Sequence, residues 1–287
     1  MKLGIIGGSG LYEIEGLINQ KWEEVSSPFG TPSDSFMVGK LNEVDIAFLP
    51  RHGRGHVHSP TSIPYRANID AFKRLGVTHL LSLSASGSLN VDIEPGDFVI
   101  VDQFIDRTVS REKSFFGQGC VAHVSMAHPT CSDLSTLCYT TVIELGVKTH
   151  KQGTYLAMEG PQFSTLAESL LYKQQFKCDV IGMTNMPEAK LAREAEICYS
   201  SVAMVTDFDC WHPDHGAVEM SDVIRTMSVN TINAKKLISG LTKQIHQLSK
   251  CSTGCSTCLD NAIITAADKI DPTVKKKLSA ITSRVWA

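Results

Sequence analysis

The feature that most constrains this chain is an alternation of short β-branched or apolar runs with segments of helical character. Candidate strands lie at 3–6, 44–49, 79–84, 98–101, 179–183 and 199–206. Such runs are too short for buried helices and are rich in strand-forming residues. Helical patterns fall between them. The segment 64–75 has Pro64 at its start and Gly76 just past its end, the asymmetry expected when proline opens a helix and glycine closes it. The segment 133–145 is closed by Gly146, and Thr165 and Glu168 have capping-box spacing. The stretch after Pro187 is rich in Ala, Glu, Lys and Arg, and the longest helix is expected from 221 to about 248. In that helix Val223, Met227, Ala234, Leu237, Leu241, Ile245 and Leu248 recur mostly at threes and fours, marking one buried stripe. The pattern predicts an α/β fold, a central mixed β-sheet flanked by helices. Ligands of such sheets sit beyond the carboxyl ends of the strands, and several of the candidate strands end in, or are followed directly by, Gly7, Ser84, Asp102, Thr184, Thr206 and Asp207.

The 287 residues, 43% of them hydrophobic, suffice for a sizeable core. A net charge of −3 gives no electrostatic case for nucleic acid or an anionic membrane as partner. No apolar run reaches the roughly 18–20 residues of a bilayer span, and glycines interrupt residues 1–8 too soon for a signal peptide. A cytoplasmic protein is expected. Residues 1–248 are expected to form one domain. A compositional break at 249–257 opens a C-terminal extension, 249–287, which packs on the same domain and carries a helix over 272–281. Six of the nine cysteines (Cys120, Cys131, Cys138, Cys178, Cys198 and Cys210) lie in segments that read as core, which suits a reducing compartment. Cys251, Cys255 and Cys258 cluster in the extension. Reduced structural thiols come first for them, a labile disulfide second and a metal site third.

Six segments could carry chemistry. Gly7-Gly8-Ser9-Gly10 follows the first strand and could present N–H groups to an anion, although it completes neither a dinucleotide fingerprint nor a P-loop. Arg51-His52-Gly53-Arg54-Gly55-His56-Val57-His58 suits a phosphate, Arg51 offering a bidentate fork and His52 a tunable donor; a solvated basic loop or a metal site on His52, His56 and His58 are its other readings. Ser84-Ala85-Ser86-Gly87-Ser88 reads as an anion nest or a turn. Phe163, in Glu159-Gly160-Pro161-Gln162-Phe163-Ser164, could stack on a planar base or serve the core. Thr184 could add a hydroxyl to a phosphate cluster or simply turn a strand into a helix. Asp207 and Asp209 point to one side if the strand persists, so one of them is expected to hold a proton near neutral pH. A metal reading on His212, Asp214 and His215 is weakened by Pro213 and Gly216.

Taken in order, Gly7-Gly8-Ser9-Gly10-Leu11, Arg51-His52-Gly53-Arg54, Ser86-Gly87-Ser88-Leu89, Pro95-Gly96-Asp97-Phe98, residues 102–108, Glu159-Gly160-Pro161-Gln162-Phe163, Met183-Thr184 and Asp207-Phe208-Asp209-Cys210-Trp211 resemble the S-methyl-5′-thioadenosine phosphorylases of the trimeric purine nucleoside phosphorylase family. The resemblance spans roughly residues 3 to 245. It implies a single-domain nucleoside phosphorylase-like fold, a homotrimer, and cleavage of a purine nucleoside by inorganic phosphate as co-substrate, with no cofactor and no metal. It implies a phosphate site of Ser9, Arg51, His52, Ser84, Ala85 and Thr184, with Met183 against the ribose and Phe163 against the base. Asp207 and Asp209 would face the purine edge, a protonated Asp207 acting on N7. Ser164 stands at the base-specificity contact, and Met220 and Val223 would line a 5′ pocket with His123 nearby, from a neighbouring subunit. Two carboxylates at the edge favour a 6-amino purine. Met220 stands where a smaller Val is familiar, so plain adenosine also fits the pattern, and Ser84 replaces a frequent Thr. The alternatives are a 6-oxopurine nucleoside phosphorylase, a metal-dependent hydrolase using the His-rich loops, and a non-catalytic nucleotide-binding module.

Overall fold

The computed structural model describes residues 1–8, 10–11, 13–214, 218, 220–248 and 251–286. The strands are β1 (Lys2–Gly7), β2 (Ile18–Glu23), β3 (Phe36–Leu41), β4 (Val44–Pro50), β5 (His79–Ser88), β6 (Phe98–Val101), β7 (Gln103–Asp106), β8 (Thr149–His150), β9 (Thr154–Ala157), β10 (Val180–Gly182) and β11 (Cys198–Asp207). The helices are α1 (Tyr65–Arg74), α2 (Ser132–Glu144), α3 (Leu166–Gln174), α4 (Asn185–Glu194), α5 (Met220–Gln244) and α6 (Pro272–Leu278). All eleven strands join one mixed sheet of order β2-β3-β4-β1-β5-β10-β9-β7, with β11 paired to both β5 and β6, and β8 beyond β6. β4, β1, β5 and β11 run parallel, so their carboxyl ends share one edge. β5 is the hub, bonded to β1, β10 and β11.

Helices cover both faces. Leu3 and Ile5 of β1 pack with α2 and α5 through Leu134, Leu137, Leu237 and Leu241, whereas Ile6 packs with α1 and α4 through Ile69, Phe72, Ala189 and Leu191. β11 divides in the same way, Val202 and Met204 to one face and Ala203 and Val205 to the other. A strand buried on both faces reads as a continuous apolar run while its side chains still alternate. Gly4 keeps the β1–helix contact close, because a Cβ there would come 2.8 Å from Val77.

All six expected strands form, but β2, β3, β7, β8 and β9 were not expected. β2 lies at the sheet edge with almost every residue exposed, so it has no apolar alternation to read. In β3 the pattern is broken by Gly39, where a Cβ would meet the Ile18 carbonyl at 2.9 Å. The capping box forms as read: Glu168 N donates to Thr165 Oγ1 at 3.3 Å and Thr165 N to Glu168 Oε2 at 2.8 Å. Of the expected stripe, Ala234, Leu237 and Leu241 of α5 and Ile245 just past it are buried, and Met227 and Leu248 pack against the same core, while Met220 and Ile224, outside the stripe, are 56% and 61% exposed. The extension sends Leu259, Ala262, Ile270, Leu278 and Ile281 into the same core as α1 and α4, and its helix stops at Leu278. Among the described residues no helix is long and apolar enough to cross a membrane.

At the end of α4, Glu194 accepts from Ser114 Oγ at 2.6 Å and from Phe115 N at 2.7 Å. Burial nevertheless pushes its carboxyl up to about 7 from the ordinary 4.5. The folded chain therefore holds this proton more tightly than the unfolded chain. The contribution is most favourable below pH 4.5 and is lost as pH rises to 7. Relative to wild type, Glu194→Gln should gain stability across that window, by at most about 3 kcal/mol. Urea unfolding of both proteins at about pH 5 and about pH 8 measures the difference, and parallel changes would refute it.

Candidate active site

Arg51, directly after β4, is 1% exposed and lies under the shared strand edge. Its Nε donates to Glu188 Oε2 at 2.8 Å, Nη1 to the Leu83 carbonyl at 3.1 Å, and Nη2 to Ser82 Oγ at 2.7 Å and the Ile6 carbonyl at 3.3 Å. Glu188, wholly buried on α4, also accepts from Ser82 Oγ and from Tyr199 OH at 2.9 Å. The expectation that Arg51 grips phosphate with its fork is thus corrected: the fork is spent on Glu188 and on the backbone of β1 and β5. Arg54 is likewise held by Asp34 at 2.8 Å and lies over the Trp22 ring. The loop looked basic in sequence, but these charges answer internal carboxylates.

His52 Nδ1 lies 2.8 Å from the His58 carbonyl, so that nitrogen carries the proton, and the ring stacks on His56 with centroids 4.2 Å apart. Burial, reinforced by the Arg51 charge, pushes His52 down to about 4. The ring is neutral at physiological pH and its one N–H is used within the chain, so the tunable donor read from the sequence is already tuned to its neutral form. Among the described residues, His52, His56 and His58 do not bring their ring nitrogens together as a group that could hold an ion. For a phosphate, the edge offers other groups. Ser84 Oγ and Ser86 Oγ, both buried on β5, make no hydrogen bond, and Ala85 between them is exposed. Thr184 is buried just ahead of α4 with its hydroxyl in no capping bond, and Met186, at φ −119° and ψ 131°, interrupts the helical backbone beside it. Ser9 lies outside the described residues.

β11 ends at Asp207, where the register shifts against β5. Asp207 Oδ1 accepts from Asp209 N at 2.8 Å and Oδ2 from Thr206 Oγ1 at 2.6 Å. This side-chain-closed turn replaces the strand on which the sequence reading relied, and Asp209 sits in the left-handed region at φ 52°. The carboxyls are still neighbours, because both lie against Gly87 of β5. A Cβ at Gly87 would come 2.9 Å from Asp207 Oδ1 and 3.4 Å from the Asp209 Cβ. Asp209 is 5% exposed and its Oδ2 makes no hydrogen bond. Burial, with the Asp207 charge added, pushes its carboxyl up. The sequence reading put the proton on Asp207; in the folded chain the member favouring a proton is Asp209.

Met183 packs against the loop that follows β9, where a Cβ on Gly160 would lie 2.4 Å from its sulfur. Arg111, which no sequence signal marked, fastens this contact by donating to the carbonyls of Met183 at 2.6 Å, Met186 at 2.7 Å and Glu159 at 2.7 Å, and to Tyr65 OH. Burial would raise Glu159, but hydrogen bonds from Thr61, Val109 N and Ser110 N, together with the Arg111 charge, hold it at about 2. Further along the loop Phe163 is 43% exposed, and the Ser164 carbonyl accepts from Cys210 Sγ at 3.3 Å, which ties the loop to the turn beyond β11. Met220 is exposed at the start of α5, and Val223 follows it one turn on. The backbone N–H of His123 goes to the Ala262 carbonyl of the extension at 2.9 Å. That fastens His123 to the extension, and its part in a 5′ pocket would be played toward a neighbouring copy, as the resemblance implies. His212 packs on Phe208 and Trp211 and accepts from Asp214 N at 3.3 Å, and His215 lies outside the described residues.

Sequence reasoning missed Glu188, Arg111 and Tyr155. Glu188 sits in a stretch that read as a charged helix, and only packing reveals that it is buried. Tyr155 fills the space beside Gly182, where a Cβ would come 2.0 Å from its hydroxyl. Removing one partner of a buried ion pair strands the other charge, so Glu188→Ala should cost about 3–5 kcal/mol. The double variant Arg51→Met/Glu188→Leu should lose less than either Glu188→Ala or Arg51→Ala. Denaturant unfolding tests this, and equal losses in all three would remove the pair from its organising role.

A sequence model of the phosphorylase superfamily matches residues 2–243. The chain is 61% identical over 284 residues to the S-methyl-5′-thioadenosine phosphorylase of Cereibacter sphaeroides, covering 99% of this chain and 98% of that protein. It is 56% identical to the protein of the same name from Rhodospirillum rubrum, covering 99% and 96%. Among solved structures, a methylthioadenosine phosphorylase from an antarctic soil metagenomic library superposes with a TM-score of 0.93 at 45% identity, covering 97% of this chain and 98% of that one. The Schistosoma mansoni methylthioadenosine phosphorylase in complex with adenine gives 0.84 at 33% identity, covering 91% and 98%. The mixed sheet with helices on both faces is the fold of these enzymes, and the chain belongs to the phosphorylase superfamily.

Proposed function

We propose that the protein cleaves S-methyl-5′-thioadenosine with inorganic phosphate, releasing adenine and 5-methylthioribose 1-phosphate. The observation that carries this reading is the set of unsatisfied buried polar atoms on adjoining strand ends: Ser84 Oγ and Ser86 Oγ of β5 and Asp209 Oδ2 beyond β11. Buried polar groups without partners are uncommon in native chains. Here hydroxyl donors lie on one strand and a carboxyl pair on its neighbour, an arrangement suited to an anion on one side and a heterocycle on the other. The names carried by relatives of high identity over nearly the whole chain point to the same substrate.

In the reaction the C1′–N9 bond breaks as a phosphate oxygen bonds to C1′, and the bonding pair leaves with the base. Positive charge grows on the sugar and negative charge on the purine. Phosphate held by Ser84, Thr184 and backbone N–H groups around Ala85, His52 and Ser9 stabilises the sugar cation and is placed to attack it. Arg51 serves this site as a strut, setting the ends of β1, β4 and β5. Asp207 and Asp209 act as a unit that holds one proton. The protonated carboxyl donates to N7 as the base leaves, and the ionised one accepts from the 6-amino group. A 6-oxo purine would set a carbonyl against that acceptor, so the oxopurine alternative is not favoured. Met183 bears on the ribose, Phe163 on the base, and Ser164 on base choice. Met220 and Val223 line the 5′ end, where the flexible Met220 also admits the hydroxyl of adenosine.

The reaction transfers no electrons, and phosphate itself supplies nucleophile and counter-charge, so the reading includes no cofactor. A cytoplasmic homotrimer belongs to the same reading. The trimer is supported by the exposed apolar side chains of Met220, Ile224 and Phe163. Because the pair holds its proton as a unit, Asp207→Asn should lower phosphorolysis of methylthioadenosine by about 10²–10⁴-fold, the scale of general acid–base catalysis. Base release from methylthioadenosine, adenosine and inosine, with and without phosphate, provides the measurement. Release that is independent of phosphate, or near-normal turnover in the variant, overturns the reading.

A further inference from the structure

Four of the nine cysteines meet at the end of the sheet opposite the carboxylates. Cys198 opens β11, the strand that Asp207 closes, which sets the two places about 30 Å apart at the usual rise per residue. Cys131 is the N-cap of α2, and Cys251 and Cys255 come from the extension. Their sulfurs all lie within 4.8 Å of one another, and those of Cys131 and Cys251 are 3.9 Å apart. A tetrahedron of zinc–sulfur bonds of about 2.3 Å has sulfur-to-sulfur edges of about 3.8 Å. A disulfide requires about 2.05 Å. A cluster of several irons would hold its cysteine sulfurs further apart than one ion does, so the spacing fits a single metal.

The surroundings suit thiolates. The backbone N–H of Cys255 donates to Cys251 Sγ at 3.4 Å, Thr253 Oγ1 lies 3.3 Å from Cys255 Sγ, and Arg193 Nη1 donates to Cys255 Sγ at 3.5 Å. Cys131 stands at the positive end of the α2 dipole. Cys131, Cys198 and Cys255 are buried and Cys251 is half-buried. Gly254, left-handed at φ 68°, turns the chain so that Cys251 and Cys255 return to one point. Their spacing, with three residues between, is within the range of zinc-binding pairs.

We propose that Cys131, Cys198, Cys251 and Cys255 bind one Zn²⁺ as a closed, four-coordinate structural site that fastens the C-terminal extension to the sheet. On binding, each thiol gives its proton to solvent and each sulfur gives an electron pair to the metal, which changes no oxidation state. With four protein ligands there is no open position, so the ion holds the fold and takes no part in phosphorolysis. The fastening matters because the extension fills the core through Leu259, Ile270 and Leu278 and receives His123 through Ala262. The cysteines of the extension were expected to be structural; the partners of two of them were hidden among residues that read as ordinary core.

Metal analysis of the full chain, purified under reducing conditions with zinc supplied during expression, should find about one zinc per chain. Cys131→Ser and Cys255→Ser should each lower this at least about tenfold, while Cys120→Ser, outside the cluster, should retain it. Because the cluster variants could fail to fold, the wild-type chain is also stripped and reloaded with Co²⁺. Intense tetrahedral d–d bands with thiolate-to-cobalt charge transfer support the site. Zinc-poor protein whose four thiols are all free, or whose mass shows the loss of the hydrogens of one or two disulfides, overturns it. So does a cobalt spectrum of octahedral type.

Discussion

The structure depends on a buried charge pair. Arg51 and Glu188 face each other beneath the carboxyl edge of the sheet, and their hydrogen bonds reach β1, β5, β11 and α4. Such a pair contributes little net stability after its desolvation cost, but it is intolerant of losing one member. Its effect is geometric. The guanidinium fork has fixed angles, so the carbonyls of Ile6 and Leu83 and the hydroxyl of Ser82 can satisfy it only in one register of the strands. The loops that leave those strands inherit this register.

Above that pair, the edge is built by chain breaks. β1 stops at a glycine run, β5 runs on into Ser84–Ser88, and β11 stops when Asp207 captures the N–H of Asp209. Gly87 lets the carboxyl pair lie directly on β5. Burial raises Asp209, and Asp207 accepts hydrogen bonds from Thr206 and from the Asp209 backbone. A second strut, Arg111, holds the Glu159 loop and Met183 against this edge from the other side. Both arginines act through the positions they impose on other groups.

The parts that could be read in the sequence were those governed by local rules. Strands buried on both faces, a proline-opened helix, a capping box and glycine-rich strand ends are encoded within a few residues, and the structure has them. Edge strands such as β2 could not be read, because they bury nothing and leave no apolar rhythm. The candidate site was legible as a set of positions but not as a set of roles. Arg51 was read as a phosphate fork and His52 as a tunable donor; in the folded chain the Arg51 fork is bonded to Glu188 and the His52 ring is neutral. A charged side chain in sequence carries no mark of whether its partner is a ligand or another residue far along the chain.

By itself, the sequence determined the layered α/β class, the edge of the sheet on which chemistry belongs, and the presence there of small donors and two carboxyls. These follow from periodicity and from residue chemistry, which are local. Only the tertiary structure decided which charges neutralise each other, which carboxyl favours the proton, and that Cys131 and Cys198 meet Cys251 and Cys255. Those outcomes depend on burial and on contacts between residues far apart in the chain, 137 positions for Arg51 and Glu188. Desolvation, which sets the energy of a charge or a thiolate, exists only once the chain has closed around it.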